Sequence, residues 1–243
     1  EIPKSFVKTR GILLDTDSTF SFNFRTKSLN ALLLYQSADL QKLEQQNKAK
    51  RRRRTFIKGK RRELINSNNN DQSFLAFYLI DGRLTVHLGT DLEERIKRPV
   101  ISSTQIYSDG LLHSIFLSRM GKEIQLRIDD REILATILDD ERLIGGKQWN
   151  MFLGGIPSRL EDLIKNSELG TIESLIGCLS DFQLDYEQLP IIFEEHQGTI
   201  LGSCLLENEF LIENNKAKDI PLKDEEEKDY YLLQQQQLYN KKS

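Results

Sequence analysis

Apolar positions along this chain recur at period two, in short runs broken by turn residues. Over residues 19–25, Phe20, Phe22 and Phe24 alternate with Ser21, Asn23 and Arg25. Alternation of that kind, carried by aromatics, predicts a strand with one face buried. An earlier strand is expected near Phe6, and residues 29–35 form a second apolar run. Residues 74–88 read FLAFYLIDGRLTVHL, with Asp81-Gly82 between two apolar halves. An Asp-Gly pair so placed is a hairpin signal, because both residues tolerate positive φ. Further strands are expected over residues 101–106 and 114–118, at Ile124, Leu126 and Ile128, and over 133–137 after the Asp129-Asp130 turn. Residues 147–153 run into Gly154-Gly155-Ile156-Pro157. After a loop over 158–175, Gly177-Cys178 opens a run marked by Leu179, Phe182, Leu184 and Tyr186. Many short strands with turns between them predict an all-β sandwich.

Two stretches leave this pattern. Residues 37–72 read as a long loop insertion, and residues 207–243 as an acidic, Gln-rich linker or tail. Both lack the apolar residues that offset ordering entropy, so both are expected to be disordered; a short helix is possible on pattern around residues 230–239. The sandwich itself is then residues 1–206. Within the insertion, Lys48, Lys50, Arg51, Arg52, Arg53, Arg54, Lys58, Lys60, Arg61 and Arg62 fall in fifteen positions without one acid. The whole chain is −3, so the remainder sums to −13 (−3 minus the +10 of the run). That segregation is the sharpest local feature of the chain.

Little else points to chemistry. No stretch approaches ~18 consecutive apolar residues, so any membrane anchor is expected to lie outside this chain, which starts without Met and reads as an excerpt of a longer protein. His87, His113 and His196 are scattered, with no metal-ligand spacing to one another or to Cys. No catalytic residue and no cofactor fingerprint emerges from the short motifs. Adjacent acids such as Asp139-Asp140 and Glu194-Glu195 read as solvated surface, not as a glycosidase pair. On count alone, Cys178 and Cys204 are equally two buried thiols or one disulfide.

Four motifs in order resemble the laminin G-like domain, the sandwich module of laminin alpha chains, neurexins, agrin and perlecan. They are FSFNFRT followed by NALLLYQ, then Asp109-Gly110 with His113, then FLGG, then IGC with a second cysteine 26 positions on. Asn30-Ala31 stands where Asn-Gly is usual, and Leu112 where the family has an aromatic. The resemblance implies a concanavalin-like jelly roll of two curved antiparallel sheets, closed by a Cys178–Cys204 disulfide, in an oxidising, extracellular setting. It implies non-catalytic binding of a protein receptor or matrix partner by loops at the sandwich rim. Many relatives hold Ca²⁺ there, but the two side-chain ligand positions fall at Ser73 and Gly146, neither a carboxylate. Asp71 and Asp91 are near enough in sequence to substitute; the expectation is nevertheless no metal. A glycoside hydrolase, or a small-molecule carrier with its ligand between the sheets, is the alternative on the same architecture.

Within this setting the basic run has four readings. It is a solvated spacer, a site for sulfated glycosaminoglycans such as heparan sulfate, a basic-residue cleavage site in an exposed loop, or a nuclear or nucleic-acid-binding element. The last lacks interleaved aromatics, only Phe56 lying within. Adhesion with polyanion binding is the reading adopted, with no nucleic-acid partner.

Overall fold

The computed structural model describes residues 4–37, 74–89, 100–138, 141, 143–161, 169, 171, 173–200, 202 and 204. The chain divides into two units, Glu1–Gly202 and Ser203–Ser243. Everything below except Cys204 belongs to the first.

The described residues form fifteen strands: β1 Phe6–Arg10, β2 Leu13–Leu14, β3 Asp17–Thr26, β4 Ala31–Ser37, β5 Phe74–Ile80, β6 Arg83–Gly89, β7 Val100–Ser102, β8 Leu112–Met120, β9 Glu123–Ile128, β10 Glu132–Ile137, β11 Ile144–Gly145, β12 Asn150–Leu153, β13 Gly177–Leu184, β14 Glu187–Gln188 and β15 Glu195–Gln197. One sheet has the order β15-β1-β12-β4-β5-β6-β7 and the other β10-β9-β8-β3-β13-β14; β11 and β2 form a small third ladder. Every ladder is antiparallel. This is the expected jelly-roll sandwich. Among the described residues, no helix is long and apolar enough to cross a membrane.

The two sheets meet over Phe20, Phe22 and Phe24 of β3, Leu75, Phe77 and Leu79 of β5, and Ile115 and Leu117 of β8, all buried. Phe22 meets Phe77 edge-on across the sandwich at 5.2 Å and stacks on Phe182 at 5.4 Å. Such aromatic pairs add about 0.5–1.5 kcal/mol each beyond the area they bury. The seven-stranded sheet is buried on both faces. Phe6, Leu32, Tyr35, Phe74, Tyr78 and Phe152 form a second apolar cluster with Ile156 and Leu160. Burial on both faces explains why β4 and β5 read as continuous apolar runs rather than alternating ones. In β4 a bulge helps: Leu32 pairs with Tyr78 and Leu34 with Phe77, leaving Leu33 as the extra residue.

Three expected strands behave differently from their sequence pattern. The 101–106 run pairs only as Val100–Ser102, because Ser103 then turns the chain: its Oγ accepts from Leu84 N and donates to Gln105 O. In β10 the isoleucines face out, with Ile133 and Ile137 exposed and Glu132 buried. Tyr186 is 75% exposed, and the spacing of Leu179, Phe182 and Leu184 contains a bulge between Ser180 and Gln183. The basic insertion, Asp139-Asp140 and the tail lie outside the described residues, apart from Ser37 at the insertion's start.

Candidate functional site

The insertion's two anchors face each other. Ser37, the last residue of β4, pairs with Phe74, the first of β5, and Phe74 pairs in turn with Gly89 at the end of β6. The two residues that flank positions 38–73 in the sequence therefore lie side by side at one rim, in a paired ladder. All ten basic positions from Lys48 to Arg62 lie outside the described residues, as do Ser73, Asp71 and Asp91.

The structure of that rim near the anchors is dense. Gln36 is fully buried; its Oε1 accepts from Ile12 N at 2.9 Å and its Nε2 donates to Ile12 O at 2.8 Å. Its side-chain amide thus extends the ladder to the segment between β1 and β2. Gly145, at φ +91°, is required here: a Cβ would lie 2.1 Å from Gln36 Nε2 and 2.3 Å from Ile12 O. Next to it, a Cβ on Gly146 would meet the Trp149 indole at 2.7–2.9 Å.

The opposite rim carries a buried polar clasp that the sequence only hinted at. His113 is 5% exposed and packs against Phe24 and Tyr107, at 5.4 and 5.0 Å between ring centres. Its Nδ1 lies 2.7 Å from Asp129 Oδ2 and its Nε2 2.8 Å from Asp109 Oδ1. Both ring nitrogens thus face carboxylate oxygens, and the imidazole bridges Asp109 to Asp129. Asp109 Oδ1 also accepts from Leu111 N, and Asp129 Oδ1 from Ser114 N. Burial pushes the Asp109 carboxyl up, but the hydrogen bonds from Leu111 N and His113 outweigh it and hold the carboxyl below its ordinary value. Tyr107 links the clasp to Glu132, donating to its Oε2 at 2.9 Å, while Thr104 N and Oγ1 donate to Oε1. Burial likewise opposes ionisation of Glu132, and these donors again win and lower its pKa. Burial first, and then the bond to Glu132, push the Tyr107 phenol well up. The clasp explains the inward glutamate of β10: it ties the 103–111 connection to the β9–β10 turn.

The other sequence candidates separate in space. His87 is buried on β6, edge-on to Phe74 at 4.8 Å, and His196 is exposed on β15 opposite Val7. Glu195 makes a bidentate pair with Arg159 at 2.7 and 2.8 Å, and Glu194 lies 3.6 Å from Lys8. These acids tie β15 to β1 and to the turn at Ser158–Leu160. Both cysteines are disulfide-bonded and neither is free. Among the described residues, no cluster of His, Cys, Asp and Glu could hold a metal ion.

A profile of the laminin G domain matches residues 62–190, more than half of the chain. The chain belongs to the laminin G family. Human laminin subunit alpha-3 is 32% identical over 144 residues, which is 59% of this chain and 4% of that protein. Zebrafish (Danio rerio) neurexin-3a is 23% identical over 210 residues, 84% of this chain and 11% of its own. The chain therefore spans a small fraction of the relatives it matches. Among solved structures, domains LG4-5 of the mouse laminin alpha1 chain superpose with a TM-score of 0.56 at 16% identity, covering 80% of this chain and 43% of that one. The LG1-3 region of the laminin alpha2 chain gives 0.51 at 21% identity, covering 80% and 34%. These two show the fold.

Within this laminin G domain, the Asp109, Gly110 and His113 motif is structural. Gly110, at φ +86°, donates to Thr26 O at 3.0 Å while the two polar residues build the clasp. Gly146, the one expected calcium-ligand position among the described residues, brings no side-chain oxygen, and the Trp149 indole lies where a side chain would go. Gly146→Asp is accordingly expected to destabilise the fold by about 1–3 kcal/mol, the usual cost of forcing a packed ring aside. It should leave calcium without effect on the melting temperature; a calcium-dependent rise would show that the rim can rebuild the site.

Proposed function

We propose that this laminin G domain is a non-catalytic, extracellular binding module, engaging a receptor or matrix partner at its rim and sulfated glycosaminoglycans through the ten basic residues between Lys48 and Arg62. The sandwich is residues 1–206 and residues 207–243 are a linker or tail. The observation that carries the polyanion reading is the pairing of Ser37 with Phe74. A +10 segment is thus inserted in sequence between two paired residues at one rim, while the rest of the chain is −13. Dense Lys and Arg on a long loop track a polyanion by releasing its counterions, so affinity falls as salt rises. The disulfide supports an oxidising compartment.

The catalytic and carrier alternatives find less support. Asp129, Asp130 and Asp181 do line one cleft, but each carboxylate accepts bonds from neighbours: His113 and Ser114 N, Arg127, and Asn23 with Ser180. None is set apart as a proton donor. Between the sheets, where a carried ligand would sit, Phe20, Phe22, Phe77 and Phe182 are in mutual contact at 5.2–6.0 Å.

Retention on immobilised heparin tests the proposal. The intact chain should elute above physiological salt, and a variant with all ten basic residues changed to Gln should elute near the void at low salt. Equal elution of the two would remove the basic run from the function.

A further inference from the structure

The outer face of the six-stranded sheet carries a second feature, remote in sequence from the basic run. One cross-strand row runs unbroken through four strands: Arg127 of β9 opposite Phe116 of β8, Phe116 opposite Ser21 of β3, and Ser21 opposite Gln183 of β13. In the next row Ser114 and Ser180 flank Asn23. The small side chains of the middle strands leave a floor, and a cleft of about 270 Å³ opens over it between Arg127 with Asp130 on one side and Asp181 with Gln183 on the other. The bulge in β13 shapes that second wall. Asp181 is the added residue, at φ +55°, and accepts from Asn23 Nδ2 at 2.8 Å.

Beside Phe116, which lines this cleft, stands Tyr186. Its ring centre is 6.0 Å from that of Phe116, whose own face is covered by Arg127 at 4.7 Å. Asp185 and Tyr186 form the two-residue turn between Leu184 and Glu187, at φ +52° and +65°. Gly or Asn is usual at the second of these positions, and a bulky side chain there is an outlier. Thr19 clamps the turn, with Asp185 Oδ1 accepting from Thr19 N and Asp185 N donating to Thr19 O. The chain therefore holds a three-quarters exposed aromatic in a conformation that disfavours it, at a cost no buried contact explains.

We infer that this face is a binding site for a neutral oligosaccharide, with Tyr186 as the stacking platform and Asn23, Asp181 and Gln183 as the hydroxyl readers. Carboxylates and amides side by side offer acceptors and donors at the spacing of vicinal hydroxyls, and the exposed ring offers a face to the C–H side of a pyranose. Three carboxylates against one guanidinium make the cleft unfavourable to sulfated or phosphorylated ligands, so this site and the basic run select opposite chemistries. The strands beneath it are paired on both sides, which leaves no free edge for an added peptide strand.

The test uses the full chain and a panel of neutral probes: lactose, chitotriose, mannotriose and laminaritriose. Binding is followed by amide chemical shifts and tyrosine fluorescence. At least one probe should shift the amides of Asn23, Ser114 and Gln183 with millimolar affinity that does not change between about 50 and 300 mM salt. Tyr186→Gly should weaken that probe by about tenfold or more while raising the melting temperature, since Gly relieves the left-handed backbone. Asn23→Ala should weaken it without touching heparin retention. Three outcomes overturn the inference: no probe shifts these amides, a Tyr186→Gly variant binds unchanged, or only an oligolysine peptide occupies the cleft with salt-sensitive affinity.

Discussion

Replacing His113 with Ala is expected to cost about 3–5 kcal/mol of stability, the cavity left by a buried ring adding to the loss of hydrogen bonds to two carboxylates. The substitution strips the shared donor from Asp109 and Asp129 together and leaves a cavity between Phe24 and Tyr107. For a domain of this size the melting temperature should fall by roughly 10 °C or more. The loss is expected in denaturant unfolding of the intact chain; a loss under about 1 kcal/mol would mean that the clasp does not form. Acid should act on the same place. Asp109 and Glu132 have carboxyls lowered in the folded state, so their contribution is complete above the ordinary carboxylate range of about 4. It declines as the pH falls through the folded values. Glu132→Gln, which retains the shape but not the charge, should flatten that acid limb.

The second large effect is covalent. Changing Cys178 and Cys204 together to Ser should lower stability by roughly 3.5 kcal/mol, from the closure entropy of a loop of this length. Thermal melts with and without reductant separate this from lost packing. The native chain should lose stability on reduction and the double variant should not respond. The His113→Ala chain should lose the same increment, since Cys178 and His113 sit on different strands and such effects add when sites are independent. A native melt indifferent to reductant would remove the disulfide from the account.

Much of the architecture was legible because burial follows period two in β3, β8 and β9, and because Asp81-Gly82 sits at φ +49° and +74°, the turn its composition demands. Membership of the family was legible from motifs in order. What escaped the sequence depends on the third dimension. Arg119 reads as a surface residue between Ser118 and Met120, yet it is 1% exposed and donates to Leu14 O and Gly121 O. Glu132 reads as solvated, but Tyr107 and Thr104 arrive from another connection to satisfy it. The cleft was invisible for a similar reason. Asn23, Phe116, Arg127 and Asp181 come from four strands, and Asp-Tyr at 185–186 carries no turn signal. Nothing local separates Asp181 from any other acid until the bulge places it. The basic run was conspicuous from composition alone, while its attachment to the paired residues Ser37 and Phe74 needed the register.

The most direct measurement is the equilibrium affinity for heparan sulfate as a function of salt, for the intact chain and for the variant with all ten basic residues from Lys48 to Arg62 changed to Gln. The account predicts a log–log slope of several units for the intact chain, reflecting the counterions released by each engaged charge. For the variant it predicts a slope near zero and an affinity lower by about a thousandfold at low salt. Identical slopes for the two chains would contradict the claim that this laminin G domain binds polyanions through its insertion.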